Sequence, residues 1–125
     1  MPERRSRPSA TRSRVPRPGQ PVRGSRTGRP VMVLLDLLGR RWLLRVLWEL
    51  RDGPLPWREL QRRCDMTSPN VLTSRLRDGI EARIFEKHDD GRYALTPRGR
   101  ELLALLAPFD PWARAWSREL EKPER

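Results

Sequence analysis

Apolar residues recur along this chain in blocks separated by proline, glycine and aspartate. Val31 to Leu38 (VMVLLDLL) is an apolar run broken only by Asp36. Pro30 suits a first helical position and Gly39 a helix stop, which predicts a first helix. From about Arg41 to Arg51, the residues Trp42, Leu43, Val46, Leu47 and Leu50 recur at three- and four-residue spacing, one face of a second helix. Asp52-Gly53-Pro54 ends it. Leu55-Pro56-Trp57 allows a stub of strand, and Trp57 to Arg63 reads as a short helix with Trp57 and Leu60 inward. Cys64-Asp65-Met66 is a turn. Thr67 or Ser68 then supplies an N-cap hydroxyl, and Pro69 follows where its missing N–H costs nothing.

The helix from Pro69 carries Leu72, Leu76 and Ile80 on its apolar side. At 100° per residue, Asn70, Ser74 and Arg77 lie opposite, with Thr73 on the flank. Ile84–His88 and Arg92–Leu95 follow as two short strands. Asp89-Asp90-Gly91 joins them as a hairpin turn, and Ile84, Tyr93 and Leu95 point inward at period two. Thr96 caps a further helix with Pro97 at its start and Leu102, Leu103, Leu105 and Leu106 on its apolar side. Pro108 and Pro111 are expected to interrupt it, and a last helix holds Trp112, Ala115, Trp116 and Leu120.

This order predicts a mainly α fold with a small β-hairpin. It is a winged helix-turn-helix with additional N- and C-terminal dimerisation helices. The expected domain spans residues 30–121, with the recognition helix at about 68–82 and the wing at about 84–95. The outer helices hold more apolar surface than one small core can bury. Leu34, Leu37, Trp112 and Trp116 are therefore expected at a homodimer interface.

Charge narrows the partners. The net charge is +11, and residues 1–29 hold nine arginines against one acid, Glu3. That segment has only Val15 and Val22 as sizeable apolar groups, too few to offset its ordering entropy, so it is expected to be a disordered basic tail. It either contacts phosphate or merely solubilises. A basic chain of this size attracts nucleic acid first and anionic membrane second. No apolar stretch reaches transmembrane length, and the start has no apolar signal-peptide core. The single cysteine excludes an internal disulfide and suits a reducing, cytoplasmic setting.

The polar, short, basic face of the Pro69 helix is what a major-groove surface needs. Ser68, Asn70, Thr73, Ser74, Arg75 and Arg77 are its candidate DNA-binding residues, with Arg75 reaching phosphate from one side. Arg58, Arg62 and Arg92 are the candidate backbone and wing contacts, which position without specifying. The plain alternative is a solvated helix face; the flanking elements favour contact. Cys64 reads as a small apolar residue rather than a sensor. His88 has no companion ligand at metal spacing, so no metal is expected. No phosphate loop or metalloprotease motif is present, which argues against an enzyme and against a cofactor. No motif indicates a small-molecule effector.

These residues together resemble the HxlR-type winged-helix transcriptional regulators, relatives of the MarR group. The segment LLDLLGRRWLLRVLWELRDG is similar to the family's opening helix pair, with Gly39 and Trp42 at its Gly-x-x-Trp signature. PWREL resembles the Arg-Phe-x-x-Leu stretch, with Trp57 in place of Phe. SPNVLTSRLR resembles the recognition helix, GRYALTPRGREL the end of the wing and the next helix, and Trp112 a tryptophan of the last helix. The resemblance covers about Pro30 to Trp116. It implies a cytoplasmic, homodimeric, non-enzymatic regulator whose first and last helices form the dimer interface. The recognition helix would enter the major groove, and an inverted-repeat operator would be occupied, with repression the expected outcome. A sequence-nonspecific binder driven by the tail, and a winged-helix protein-interaction module, are the alternatives. Three positions depart from the family pattern. Arg29 stands where many members carry a cysteine used for sensing. Gly79 stands where a large apolar residue is usual, and the larger Trp57 is expected to fill the gap. Arg83 stands where a glycine usually closes the recognition helix.

Overall fold

The computed structural model describes residues 15–65 and 68–123. Six helices and one hairpin follow in chain order among these residues. They are α1 (Pro30–Leu38), α2 (Leu43–Glu49), α3 (Trp57–Arg63), α4 (Pro69–Glu81), β1 (Phe85–Lys87), β2 (Tyr93–Leu95), α5 (Pro97–Leu106) and α6 (Phe109–Leu120). The chain is thus mainly helical with a two-stranded antiparallel wing. Three helices begin on a proline, and α4 and α5 are also capped by hydroxyls. Ser68 Oγ accepts from the Val71 N–H and Thr96 Oγ1 from the Gly99 N–H. Met66 and Thr67, one of the two expected caps, lie outside the described residues.

Helix α2 is the hub. It packs against α1, α3, α4 and α5, and its Leu43, Val46, Leu47 and the following Leu50 are fully buried. Leu60, Leu72, Leu76, Phe85, Leu95 and Leu102 close the core around it. The hairpin pairs Phe85 with Leu95, Glu86 with Ala94 and Lys87 with Tyr93. Its three-residue loop ends on Gly91 in a left-handed conformation (φ 90°), the usual solution for such a loop. Leu55 bridges Tyr93 on the hairpin's other edge through two 2.8 Å hydrogen bonds, which anchors the wing to the start of α3.

Several expectations change. Trp42 is not inside α2; it precedes it with φ 76°. The short link after Gly39 must turn α2 back across α1, and Trp42 takes the left-handed step while its indole packs on the core. Ile80 is 39% exposed rather than buried, because α4 turns Gly79 and Asp78 inward at that level. The gap at Gly79 is filled by Phe85, not Trp57: a Cβ at Gly79 would run into the Phe85 ring. Phe85 reaches it because β1 packs directly on α4. Leu105 is exposed, and of the four α5 leucines only Leu102 is buried. The break after α5 falls at Ala107-Pro108 rather than extending to Pro111, which sits in the first turn of α6, where backbone N–H groups have no intrahelical partner. Residues 15–29, expected to be disordered, fold against the body, with Val15 in the core cluster. Residues 1–14 lie outside the described residues.

The end of α4 keeps the geometry that glycine favours, with arginine in its place. Arg83 has φ 65°; its N–H donates to the Ile80 carbonyl, and the Ile84 N–H reaches back to the Gly79 carbonyl at 2.9 Å. These two bonds form a Schellman closure. A left-handed side-chain-bearing residue costs roughly 1–2 kcal/mol, part of which glycine returns as extra freedom in the unfolded chain. Arg83→Gly is therefore expected to stabilise the fold by up to about 1 kcal/mol, read from the urea midpoint. A lowered midpoint contradicts this account of the helix end.

Candidate nucleic-acid interface

Helices α3 and α4 follow each other with five residues between them, of which Cys64 is buried and Asp65 takes φ 53°. This is the helix-turn-helix, and the wing follows directly behind α4. The inner face of α4 is held by Leu72 and Leu76 against α2 and by a buried charge. Asp78 is fully buried. It pairs with Arg75 on its own helix and with Arg40, 3.2 Å away in the link between α1 and α2. Arg75 Nε also donates to the Arg41 carbonyl at 2.8 Å.

This clamp reassigns one candidate. Arg75 does not reach toward phosphate; its guanidinium is committed to Asp78 and the Arg41 carbonyl. Sequence reasoning missed Asp78 because Arg-x-x-Asp on a polar helix reads as a solvated pair. Only the closeness of Arg40, far away in the chain, marks it as interior.

The remaining candidates on α4 stay outward. Asn70 and Arg77 are exposed, and Thr73 and Ser74 are half-buried. By helical geometry Asn70, Ser74 and Arg77 form one stripe, with Thr73 beside it. Arg77 makes no ion pair or hydrogen bond with a described residue. Ser68 spends its hydroxyl as the helix cap. Arg58 is exposed at the start of α3 with no acidic partner among the described residues. Arg62 is engaged by Glu59, which also accepts from Arg63 at 2.8 Å. The Arg62 guanidinium, and then that of Arg63, hold the Glu59 carboxyl down to about 2. In the wing, Arg92 meets Asp90 twice, through its backbone N–H at 3.0 Å and its Nε at 2.8 Å. Those two bonds, the backbone one first, lower the Asp90 pKa.

The expected dimer residues divide. Leu37 belongs to this chain's own core, and Leu34 is half-buried against it. Trp112 and Trp116 are exposed on α6, stacked at 5.9 Å. Phe109 and Leu120 share the exposure, and α6 buries no residue at all. Cys64 is buried, and burial pushes its thiol pKa up. Among the described residues no group of three or more potential ligands could hold a metal ion, and no helix is long and apolar enough to cross a membrane.

Helix-turn-helix and wing define a winged helix-turn-helix DNA-binding domain. Residues 37–121 match the model of the HxlR-like helix-turn-helix family, and the chain belongs to that family. It is 32% identical over 106 residues to the HTH-type transcriptional regulator Rv3095 of Mycobacterium tuberculosis, covering 78% of this chain and 63% of that one. The chain thus spans less than two thirds of this mycobacterial relative. Quinone-bound YodB from Bacillus subtilis superposes with a TM-score of 0.63 at 29% identity, covering 69% of this chain and 96% of that one. The redox regulator HypR in its reduced form gives 0.65 at 26% identity, over 74% and 97%. The relatives are DNA-binding transcriptional regulators, not enzymes, and this chain is a transcriptional regulator of the HxlR family.

The clamp leads to a stability prediction. Removing one partner of a buried ion network strands the others in a poor solvent, at roughly 3–5 kcal/mol. Asp78→Ala is expected to cost about 3 kcal/mol in urea unfolding, since both arginines are partly exposed and can relax. Asp110→Ala, which breaks the exposed pair with Arg114, is expected to stay within about 1 kcal/mol. Equal effects from the two variants would contradict the clamp.

Proposed function

We propose that the chain works as a homodimeric repressor that occupies an inverted-repeat operator. The observation that carries this reading is the outward stripe of α4. It presents short polar side chains and an arginine that no described acid neutralises, while the opposite face is locked into the core. Short side chains let the helix backbone approach base edges, and an uncommitted guanidinium can form the bidentate contact that guanine offers. Asn70, Thr73, Ser74 and Arg77 line the major groove. Arg58 binds backbone phosphate, and Arg62 and Arg92 add charge beside it from α3 and the wing. Ser68 contributes through the cap that orients the helix start.

Dimerisation is supported by α6. Phe109, Trp112, Trp116 and Leu120 form an apolar stripe on a helix that buries nothing in the isolated chain. Contiguous exposed aromatic surface of this kind marks an interaction site. A second copy places two recognition helices on half-sites about one helical turn, roughly 34 Å, apart. Leu34, half-buried on α1, joins the interface from the first helix. Leu37 is not part of it.

Neither the quinone bound to YodB nor the redox role named for HypR is carried over. The position before Pro30 is Arg29, and Cys64 is buried.

Arg77→Ala tests the stripe. It is expected to lower affinity for a selected operator by about tenfold or more, the equivalent of losing one base or phosphate contact worth roughly 1–3 kcal/mol. The variant should keep the wild-type melting curve and sedimentation behaviour, because Arg77 is exposed. An unchanged gel-shift titration would sink the assignment.

A further inference from the structure

The segment ahead of α1 is built. Val15 is buried in the core cluster. Arg17 lies 4.0 Å from Glu81 in the last turn of α4. The chain then closes a loop in which the Gly19 N–H donates to the Gly28 carbonyl at 3.0 Å. Inside it, Val22 and Ser25 exchange both backbone hydrogen bonds. Ser25 Oγ accepts from the Arg29 N–H at 3.0 Å, which ties the loop to the start of α1. Gly28 is buried with φ 72°, and a Cβ there would overlap the Gln20 backbone.

This strap begins where the recognition stripe ends. Glu81 is four residues beyond Arg77, so it falls on the same side of α4 as Asn70, Ser74 and Arg77. An uncovered carboxylate there would repel a phosphate backbone, and Arg17 sits beside it. Past Arg17 the strap carries Arg23, Arg26 and Arg29, all exposed and none in an ion pair with a described acid. Arg45, Arg62, Arg92, Arg98 and Arg114 are instead paired in place, with Glu49, Glu59, Asp90, Glu101 and Asp110. Between Val15 and Arg29 there is no acid at all. A closed backbone loop holding three unneutralised guanidiniums loses little entropy when phosphates bind them, unlike a loose tail of the same charge.

We propose that the Val15–Arg29 strap is a second duplex-DNA contact, in which Arg23, Arg26 and Arg29 bind phosphates flanking the segment that α4 reads. The inference rests on the DNA-binding reading above and extends the footprint beyond recognition helix and wing.

The test is fluorescence anisotropy of the full chain on a mixed-sequence duplex of about 40 base pairs, long enough for two half-sites and their flanks. Affinity is read across a salt series, where each lost phosphate contact removes about 0.9 from the log–log slope. The triple variant Arg23→Gln, Arg26→Gln, Arg29→Gln is expected to bind at least about tenfold more weakly near 0.1 M salt, with the slope reduced by roughly two to three per protomer. Gly28→Ala keeps every arginine but opposes loop closure, and is expected to weaken binding several-fold. A wild-type melting curve for the triple variant shows that exposed charge alone was removed. A triple variant equal to wild type in affinity and slope overturns this inference alone. So does a Gly28→Ala variant that binds like wild type, since charge without the folded loop would then suffice. A wild-type chain that binds no duplex even at low salt overturns the DNA-binding reading and this inference together.

Discussion

The buried carboxylate of Asp78 is the constraint on which the working surface depends. Helix α4 has few large apolar residues to hold it: Leu72 and Leu76 are buried, and the next inward position is a glycine. A helix so lightly packed could rotate or slide. Asp78 stops that by accepting from two arginines, one on α4 and one on the α1–α2 link. Arg75 continues the tie to the Arg41 carbonyl. Buried ion networks return little net stability after desolvation, but they demand one geometry. Here the geometry fixes which side of α4 faces out, and with it the stripe of Asn70, Ser74 and Arg77.

Packing at the far end of the same helix serves the same purpose. Gly79 lets the Phe85 ring press against the α4 backbone, so the first wing strand is seated on the recognition helix itself. The left-handed Arg83 then turns the chain sharply into β1. Leu55 grips the other hairpin edge through Tyr93. Helix α4 and the hairpin are therefore packed on each other as one unit. The hub helix α2 carries that unit and passes load to α5, beyond which α6 leaves the core with its aromatic stripe uncovered.

Much of this was legible in the order of residues because punctuation and periodicity agreed. Proline at Pro30, Pro69 and Pro97 marked three helix starts, hydroxyls at Ser68 and Thr96 capped two of them, and Asp-Gly marked the hairpin. What escaped depended on distant partners. Asp78 looks solvated until Arg40 is brought beside it. Strict alternation placed Ile84 inward, yet Ile84 and Phe85 are both buried, because Ile84 lies in the link before the strand and Phe85 faces Gly79. Trp57 was a reasonable filler by size and simply lies elsewhere in the core periphery. The Val15–Arg29 strap has the composition of a solvated tail; one buried valine, one ion pair and a glycine-closed loop give it a place. On α6, periodicity showed an apolar side, while only the fold shows that nothing in the described chain covers it.

The account stands or falls on whether the outward stripe of α4 reads sequence. The direct measurement is selection of bound fragments from a genomic DNA library by the full chain, followed by sequencing. The account predicts one enriched motif with two inverted half-sites whose centres lie about one helical turn, roughly 10 base pairs, apart. Uniform recovery of fragments with no shared motif would contradict it and leave only charge-driven binding.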